Sequence, residues 1–391
     1  MLKTLFYPSS APGAFSGSFS LQTTPRRKAA CSGSELMAKC PEGFWGSASR
    51  SIAFQAGIVR SMAYSGASVE VLDLRHFTAA MLKPVLEVEN AVWADRLHWD
   101  YRNSTRLLTQ YLDNRALPGF AALADDLVTG YIFCVHEESK TVIGDVFAAN
   151  SPITDTYPGG PRALEDKLLI HLLELLLNSP QIERIESQIL IHPSGTHSRT
   201  FREAGFHIFR RLFMVQQLVG RWSSPRVTLP PELELRSWRD EDLTPAARLI
   251  AEAYRDHPDS IINDQYRTVH GSMRFLNNIV RYSGCGTFSA PVSSVIAHRT
   301  TREFAGLLLG SRVSPTSGHI TQICVHPAYR RKGLGRTLLS LAAHGFLRQG
   351  VSEISLTVTE ANANAIELYE AEGYTCAHNF DAAVWQRPRR A

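Results

Sequence analysis

Along the chain, short β-branched runs alternate with stretches whose apolar residues recur every three or four positions, and the two patterns follow one another in a set order. From Val69 the run VEVLDLRHF predicts an opening strand, and residues 83–101 and 105–114 carry helical spacing. Residues 127–136 and 141–149 predict a strand pair around the charged turn 137–140. The Pro/Gly loop SPITDTYPGGPR leads to a helix over 163–178, a strand over 185–191, and a short helix stopped by Gly205 before Phe206. HIFRRLFMVQQLV, from His207, predicts the strand that closes this part of the chain.

The same order then returns. Residues 233–239 read as a first strand, 244–254 and 265–282 as helices, and 287–298 and 303–313 as strands. A turn at 315–317 leads to a buried strand, 320–325, that Pro327 ends. A helix follows from Gly335, and EISLTVTEANANAIELYEAEGY (353–374) reads as strand, loop, short helix and glycine stop. The span from Val71 to Gly205 nearly equals that from Leu233 to Gly373, so two copies of one architecture is the economical reading. The expected divisions are 67–220, a linker at 221–231 with Pro225, Pro230 and Pro231, and 232–391. Residues 1–66, rich in Ser, Ala and Gly and without periodicity, are expected to be a disordered tail; translation from Met62 or a transit peptide are the other two readings.

Chemistry concentrates in HITQICVHPAYRRKGLGR, residues 319–336. A strand, a basic glycine turn and a helix place unpaired N–H groups and the positive helix end together, which suits a pyrophosphate. A dinucleotide fingerprint needs a third glycine where Leu338 stands, and a P-loop needs Gly-Lys-Ser/Thr; neither is present. Arg330, Gly333 and Gly335 instead make Arg-x-x-Gly-x-Gly after a strand ending Val-x-Pro, which resembles the acetyl-CoA loop of the GNAT superfamily of N-acetyltransferases. A second signature of that family runs Val-x-x-x-Asn-x-x-Ala-x-x-Leu-Tyr-x-x-x-Gly-aromatic. Val358, Asn362, Ala365, Leu368, Tyr369, Gly373 and Tyr374 fill its slots. The resemblance covers residues 233–387.

The resemblance implies an α/β (α+β) fold of two tandem GNAT-type domains, each a mixed, mostly antiparallel central sheet flanked by helices. It implies acetyl-CoA as cosubstrate and an amine as acceptor. The backbone of Ile323, Cys324 and Val325 would run beside the pantetheine arm, with a splayed strand pair exposing the Val325 N–H to the thioester oxygen. Arg330, Arg331, Lys332, Gly333, Leu334, Gly335 and Arg336 would cradle the pyrophosphate. Asn362 would bond the pantetheine or orient the loop, and Tyr369 would protonate the leaving thiolate. Beside these stand plainer readings: Tyr369 as a core aromatic and Asn362 as a helix N-cap. The general base is unassigned among Glu360, His319, Glu303 and a water chain. Relatives that acetylate protein N-termini carry a glutamate where this chain has Thr357.

In the first copy, Gly160, Ala163 and Glu165 fall at the places of Arg330, Gly333 and Gly335, with Ser194 and Phe201 at those of Asn362 and Tyr369. A carboxylate at a phosphate-binding helix mouth is electrostatically wrong, so this copy is expected to have lost the cofactor. Gly159-Gly160 as a different anion nest is a second reading. The net charge of +4 gives no argument for nucleic acid. Six scattered cysteines without CxxC or Cys/His ligand spacing point to reduced thiols, no metal and a cytoplasmic setting. The most apolar run, 168–177, is short and contains His171 and Glu174, so no membrane span is expected. A monomer or homodimer is expected. Three functions stay open: acetyl transfer to a small-molecule or peptide amine, transfer to an amino sugar as in tandem mycothiol synthase-like enzymes, and an acyl-CoA sensor or scaffold without turnover.

Overall fold

Residues 68–218, 227–281 and 286–388 are described by a computed structural model. The expectations for 1–66 and for most of the linker lie outside the described residues. The first half contains strands β1 (Glu70–Asp73), β2 (Gly119–Ala124), β3 (Leu127–Glu137), β4 (Lys140–Ala148), β5 (Arg184–Gln188) and β6 (His207–Gln217). Its helices are α1 (Ala79–Leu97), α2 (Arg102–Asp113), α3 (Pro152–Asp155), α4 (Gly160–Asn178) and α5 (Ser198–Glu203). The second half contains β7 (Leu233–Ser237), β8 (Thr287–Phe288), β9 (Ser294–His298), β10 (Phe304–Arg312), β11 (Ser317–Val325), β12 (Glu353–Thr359) and β13 (Thr375–Gln386). Its helices are α6 (Leu243–Ala253), α7 (Asp259–Ile262), α8 (Val269–Arg281), α9 (Leu334–Leu347) and α10 (Ala363–Ala371).

All the described strands join one sheet in the order β1-β2-β3-β4-β5-β13-β6-β12-β11-β10-β9-β7, with β8 paired to β10. Pairing is antiparallel except for β4 with β5 and β11 with β12. The strand expected to close the first half is the departure. β6 does not lie beside β5; it pairs with β12, Thr357 opposite Phe213, while β13 of the second half pairs with β5. Each half therefore lends its last strand to the other. Alternation along β6 specifies which face is buried and leaves the partner open, so the sequence pattern carried no sign of the exchange. β2, with its run GFAALA, had no alternation to mark it either.

The two parallel pairs place the functional geometry. β11 meets β12 only from Ser317 to Ile320, and β4 meets β5 only from Lys140 to Ile143. Beyond those points each pair opens into a gap. In both halves a long helix packs beside its gap. α4 buries Leu164, Leu168, Leu169, Leu172, Leu173 and Leu176, each contributing about 1.5–3 kcal/mol. α9 is pressed onto β10 and β11 by Phe346, whose ring fills the space above Gly310 and Gly318; a Cβ on Gly318 would lie 2.5 Å from it.

Buried charge ties the halves together. Lys140 Nζ lies 2.7 Å from Asp264, 3.1 Å from Glu137 and 3.5 Å from Glu186, and Arg184 Nε bonds Glu186 at 2.6 Å. Burial alone would raise the Asp264 carboxyl, but Lys140 and Arg184 outweigh it and hold the group below its usual range. Nearby, Trp99 meets His319 edge-on at 4.8 Å, and the Asp100 N–H bonds the Val313 carbonyl at 2.8 Å. Among the described residues no helix is long and apolar enough to cross a membrane.

Candidate active site

The gap between β11 and β12 starts with a bulge. The β10–β11 register shifts between Leu309 and Gly310, leaving Thr321 without a partner strand residue; its hydroxyl donates to the Leu309 carbonyl at 3.1 Å. Such a bulge bends the strand and re-aims the residues beyond it. The His326 N–H bonds the Ala305 carbonyl at 2.9 Å. Antiparallel alternation then turns the backbone groups of Cys324 toward β10 and those of Ile323 and Val325 into the gap. Tyr254 Oη donates to the Ile323 carbonyl at 3.3 Å. The Val325 N–H thus points away from β10, and β12 is paired with β11 only as far as Ile320. Burial pushes the Cys324 thiol up to about 12, so it stays protonated and contributes backbone only.

After β11 a 3-10 turn, Pro327–Tyr329, is capped by His326, whose Nδ1 accepts from the Ala328 N–H at 3.2 Å. Arg331 and Gly333 then take left-handed conformations, φ 63° and 76°. This swings the chain into α9 without a side-chain cap, so the N–H groups of Leu334, Gly335 and Arg336 are left without helical partners. A Cβ on Gly335 would come within 3.0 Å of Leu368 Cδ2, so glycine lets α9 and α10 approach. Three of the four basic side chains are engaged: Arg330 with the Ala253 carbonyl at 2.9 Å, Lys332 over the Tyr329 ring at 5.1 Å, and Arg336 with Glu372 at 2.7 Å. Arg331 is exposed and has no partner among the described residues.

On the far side, Asn362 caps α10: its Oδ1 accepts from the Ala365 N–H at 3.3 Å, while Nδ2 lies 3.3 Å from His257 Nε2. Tyr369 is 7 % exposed, and burial raises its phenol, with the Asp259 charge adding to the effect. The segment after α6 supplies residues that the sequence pattern did not single out. Tyr254 and Tyr266 rings meet at 4.5 Å, and Thr359 donates to Asp259. His257 and Asp259 thus link α6 to the β12 side across the open end of the gap. In the sequence they stand only in the connection between the helices expected over 244–254 and 265–282. Of the base candidates, Glu360 follows Thr359 and pairs with Arg210 at 3.5 Å, Glu303 lies in the β9–β10 turn, and His319 is buried against Trp99 with Nδ1 3.0 Å from Ser355.

The first half repeats this geometry with the opening closed. The β3–β4 register shifts between Phe133 and Cys134, and the Ala149 N–H bonds the Thr129 carbonyl at 2.9 Å, as His326 does Ala305. Val146 and Ala148 therefore correspond to Ile323 and Val325. Here the Ala148 N–H donates to Glu165 Oε1 at 3.1 Å, and His192 Nε2 donates to the Val146 carbonyl at 2.8 Å. The structure corrects the expected match with Gly335: α4 begins at Gly160 after the left-handed Gly159, so Glu165 is its sixth residue, one turn inside the helix, and it reaches the gap from there; burial lifts its carboxyl to about 8. Phe201, at the place of Tyr369, packs on Phe206 at 5.1 Å, and Ser194 bonds Asp381 at 2.5 Å.

Residues 234–374 match the acetyltransferase (GNAT) family model. The chain is 27 % identical over 156 residues to a mycothiol acetyltransferase of Thermomonospora curvata, covering 39 % of this chain and 47 % of that relative. It is 44 % identical over 52 residues to the ribosomal protein bS18 alanine N-acetyltransferase of Escherichia coli, covering 13 % of this chain and 35 % of that enzyme. The chain thus spans about half the length or less of these curated relatives. Its fold is similar to that of a tandem GNAT protein from the clavulanic acid biosynthesis pathway, with TM-score 0.53, 16 % identity, and coverage of 83 % of this chain and 100 % of that one. Residues 234–374 therefore form a GNAT-type acetyltransferase domain, and the fold around it is similar to that of tandem GNAT proteins.

Proposed function

We propose that the second half transfers an acetyl group from acetyl-CoA to a primary amine of a small molecule or peptide, by direct attack in a ternary complex. One contrast carries the reading: strand alternation turns the Val325 N–H into its gap, beyond the last β11–β12 pair, whereas the matching Ala148 N–H is capped by Glu165. A free N–H aimed into a gap is what a thioester oxygen needs as charge develops on it. The amides of Arg331 to Arg336 and the exposed Arg331 side chain suit the pyrophosphate, with Ile323, Cys324 and Val325 beside the pantetheine arm. Tyr369, kept protonated by burial, serves as proton donor to the leaving thiolate. Asn362 is a helix cap whose amide nitrogen is held by His257, so it serves to orient the loop. Reduced Cys134, Cys324 and Cys376 agree with a cytoplasmic setting. The similarity to a mycothiol acetyltransferase makes an amino sugar the first acceptor to try beyond simple amines.

A second reading has an observation of its own. His257 near Asn362 and Thr359 bonded to Asp259 span the end of the gap through which a cofactor would enter. A protein that holds acyl-CoA without turnover would keep such a strap. Thiol release from acetyl-CoA with a panel of amines, amino sugars and peptide N-termini separates the two. Turnover with any acceptor establishes transfer. Calorimetric binding of acetyl-CoA with no turnover on the panel supports the sensor, and no binding at all overturns both.

A further inference from the structure

His192 and His197 stand five positions apart on the segment after β5, and the fold brings Glu165 of α4 against them in the closed gap of the first half. One donor atom from each falls within 4.8 Å of the others. His197 Nε2 lies 3.5 Å and His192 Nδ1 3.8 Å from Glu165 Oε2. Both separations are too long for good hydrogen bonds. They are close to the edge of about 3.3 Å that ligands near 2.0–2.1 Å from a tetrahedral ion would span.

The remaining polar atoms of all three side chains are already committed, and in a manner that aims the free ones inward. His192 Nε2 donates to the Val146 carbonyl at 2.8 Å, which leaves Nδ1 bare. His197 Nδ1 donates to Asp166 at 2.9 Å, and Asp166 is fixed in turn by Thr200 at 3.0 Å and Arg162 at 3.2 Å. Glu165 Oε1 takes the Ala148 N–H at 3.1 Å. His197 Nε2 is wholly buried and has no hydrogen-bond partner among the described residues, a costly state unless something accepts its lone pair. A ring nitrogen oriented by a carboxylate or carbonyl behind it is the usual outer shell of a metal-bound histidine.

We propose that Glu165, His192 and His197 bind a divalent transition-metal ion, zinc by ligand type, which closes the first half's gap where the second half keeps its gap open. Two imidazoles and one carboxylate favour zinc over magnesium or calcium. The ion joins α4 to the segment after β5. That segment also holds β13, through Ser194 and Gly195 bonded to Asp381 at 2.5 Å and 2.8 Å. Metal in the first half therefore supports the docking of the exchanged strand.

The test uses the full chain purified without a metal-affinity tag. Elemental analysis should find stoichiometric zinc. A strong chelator should lower the thermal midpoint, and added zinc should restore it. Cobalt exchanged into the stripped protein should give visible d–d bands without a near-ultraviolet thiolate band. His197→Ala and Glu165→Gln should lose the ion and the zinc-dependent shift, with far-ultraviolet circular dichroism checking that they fold. The wild-type cobalt spectrum decides the matter even where the variants do not fold. Metal-free protein that neither binds zinc nor shifts its midpoint overturns the proposal, and so does a cobalt–thiolate band, which would place the ion on cysteine.

Discussion

Because alternation from the His326–Ala305 bond turns the Val325 N–H away from β10, it can be removed without breaking a β10–β11 bond. Val325→Pro is predicted to cost about 10²–10³-fold in kcat, the usual loss for one oxyanion donor, with circular dichroism unchanged. An unaltered rate in a folded variant would remove Val325 from that role. Tyr369→Phe keeps the ring that packs 5.9 Å from Tyr374 and deletes only the hydroxyl. Turnover should fall while calorimetric affinity for acetyl-CoA stays near wild type; equal losses in both would make Tyr369 a binding residue. At this scale the sequence was informative for Tyr369 and Gly335, which sit in long spaced motifs. It was silent on Tyr254, His257 and Asp259, which reach the gap only through a loop.

The strand, turn and helix from β11 to α9 form the element most legible in advance, because its alternation, its proline stop and its glycine mouth are all local signals. Gly335→Glu would put a carboxylate at the positive helix end and a Cβ 3.0 Å from Leu368. Loss of acetyl-CoA binding by calorimetry is the expected result, and retained affinity would separate this turn from the cofactor. In α4 the expected match is shifted: with the left-handed caps Gly159 and Gly333 superposed, Pro161 takes the place of Gly335, and Glu165 lies one turn further on, where it turns to the Ala148 amide. The sequence put a carboxylate at the helix mouth because it aligned the leucines of the two helices and not their caps. It held no sign of the Ala148 amide, which is brought close only by the strand bulge.

Across the whole molecule, buried charges report how the halves are joined. Lys140→Ala would leave Glu137, Glu186 and Asp264 facing one another with Arg184 as their remaining cation. A loss of about 3–5 kcal/mol is expected in denaturant titration, as for other broken buried pairs. Glu89 is fully buried, accepts from Tyr131 Oη at 2.5 Å, and is lifted by burial from 4.5 to about 7, with the buried Asp145 raised beside it. The folded state holds this proton more tightly than the unfolded chain does. Its contribution is therefore full below pH 4.5 and is lost as pH rises toward 7. Stability measured across that window should decline, and Glu89→Gln should flatten the decline; an unchanged slope would assign it to other groups.

Two repeated units, the helix that follows each central strand, and the glycine loop that distinguishes the second were set by the order of residues alone. Each rests on periodicity, turn chemistry or helix-end electrostatics within a few neighbouring positions. The exchange of β6 and β13, the opening of one gap beside the closing of the other, and the meeting of Glu165 with His192 and His197 were decided by the tertiary structure. These depend on which distant strands share a ladder and where a bulge aims an amide, and a local pattern holds no record of its partner.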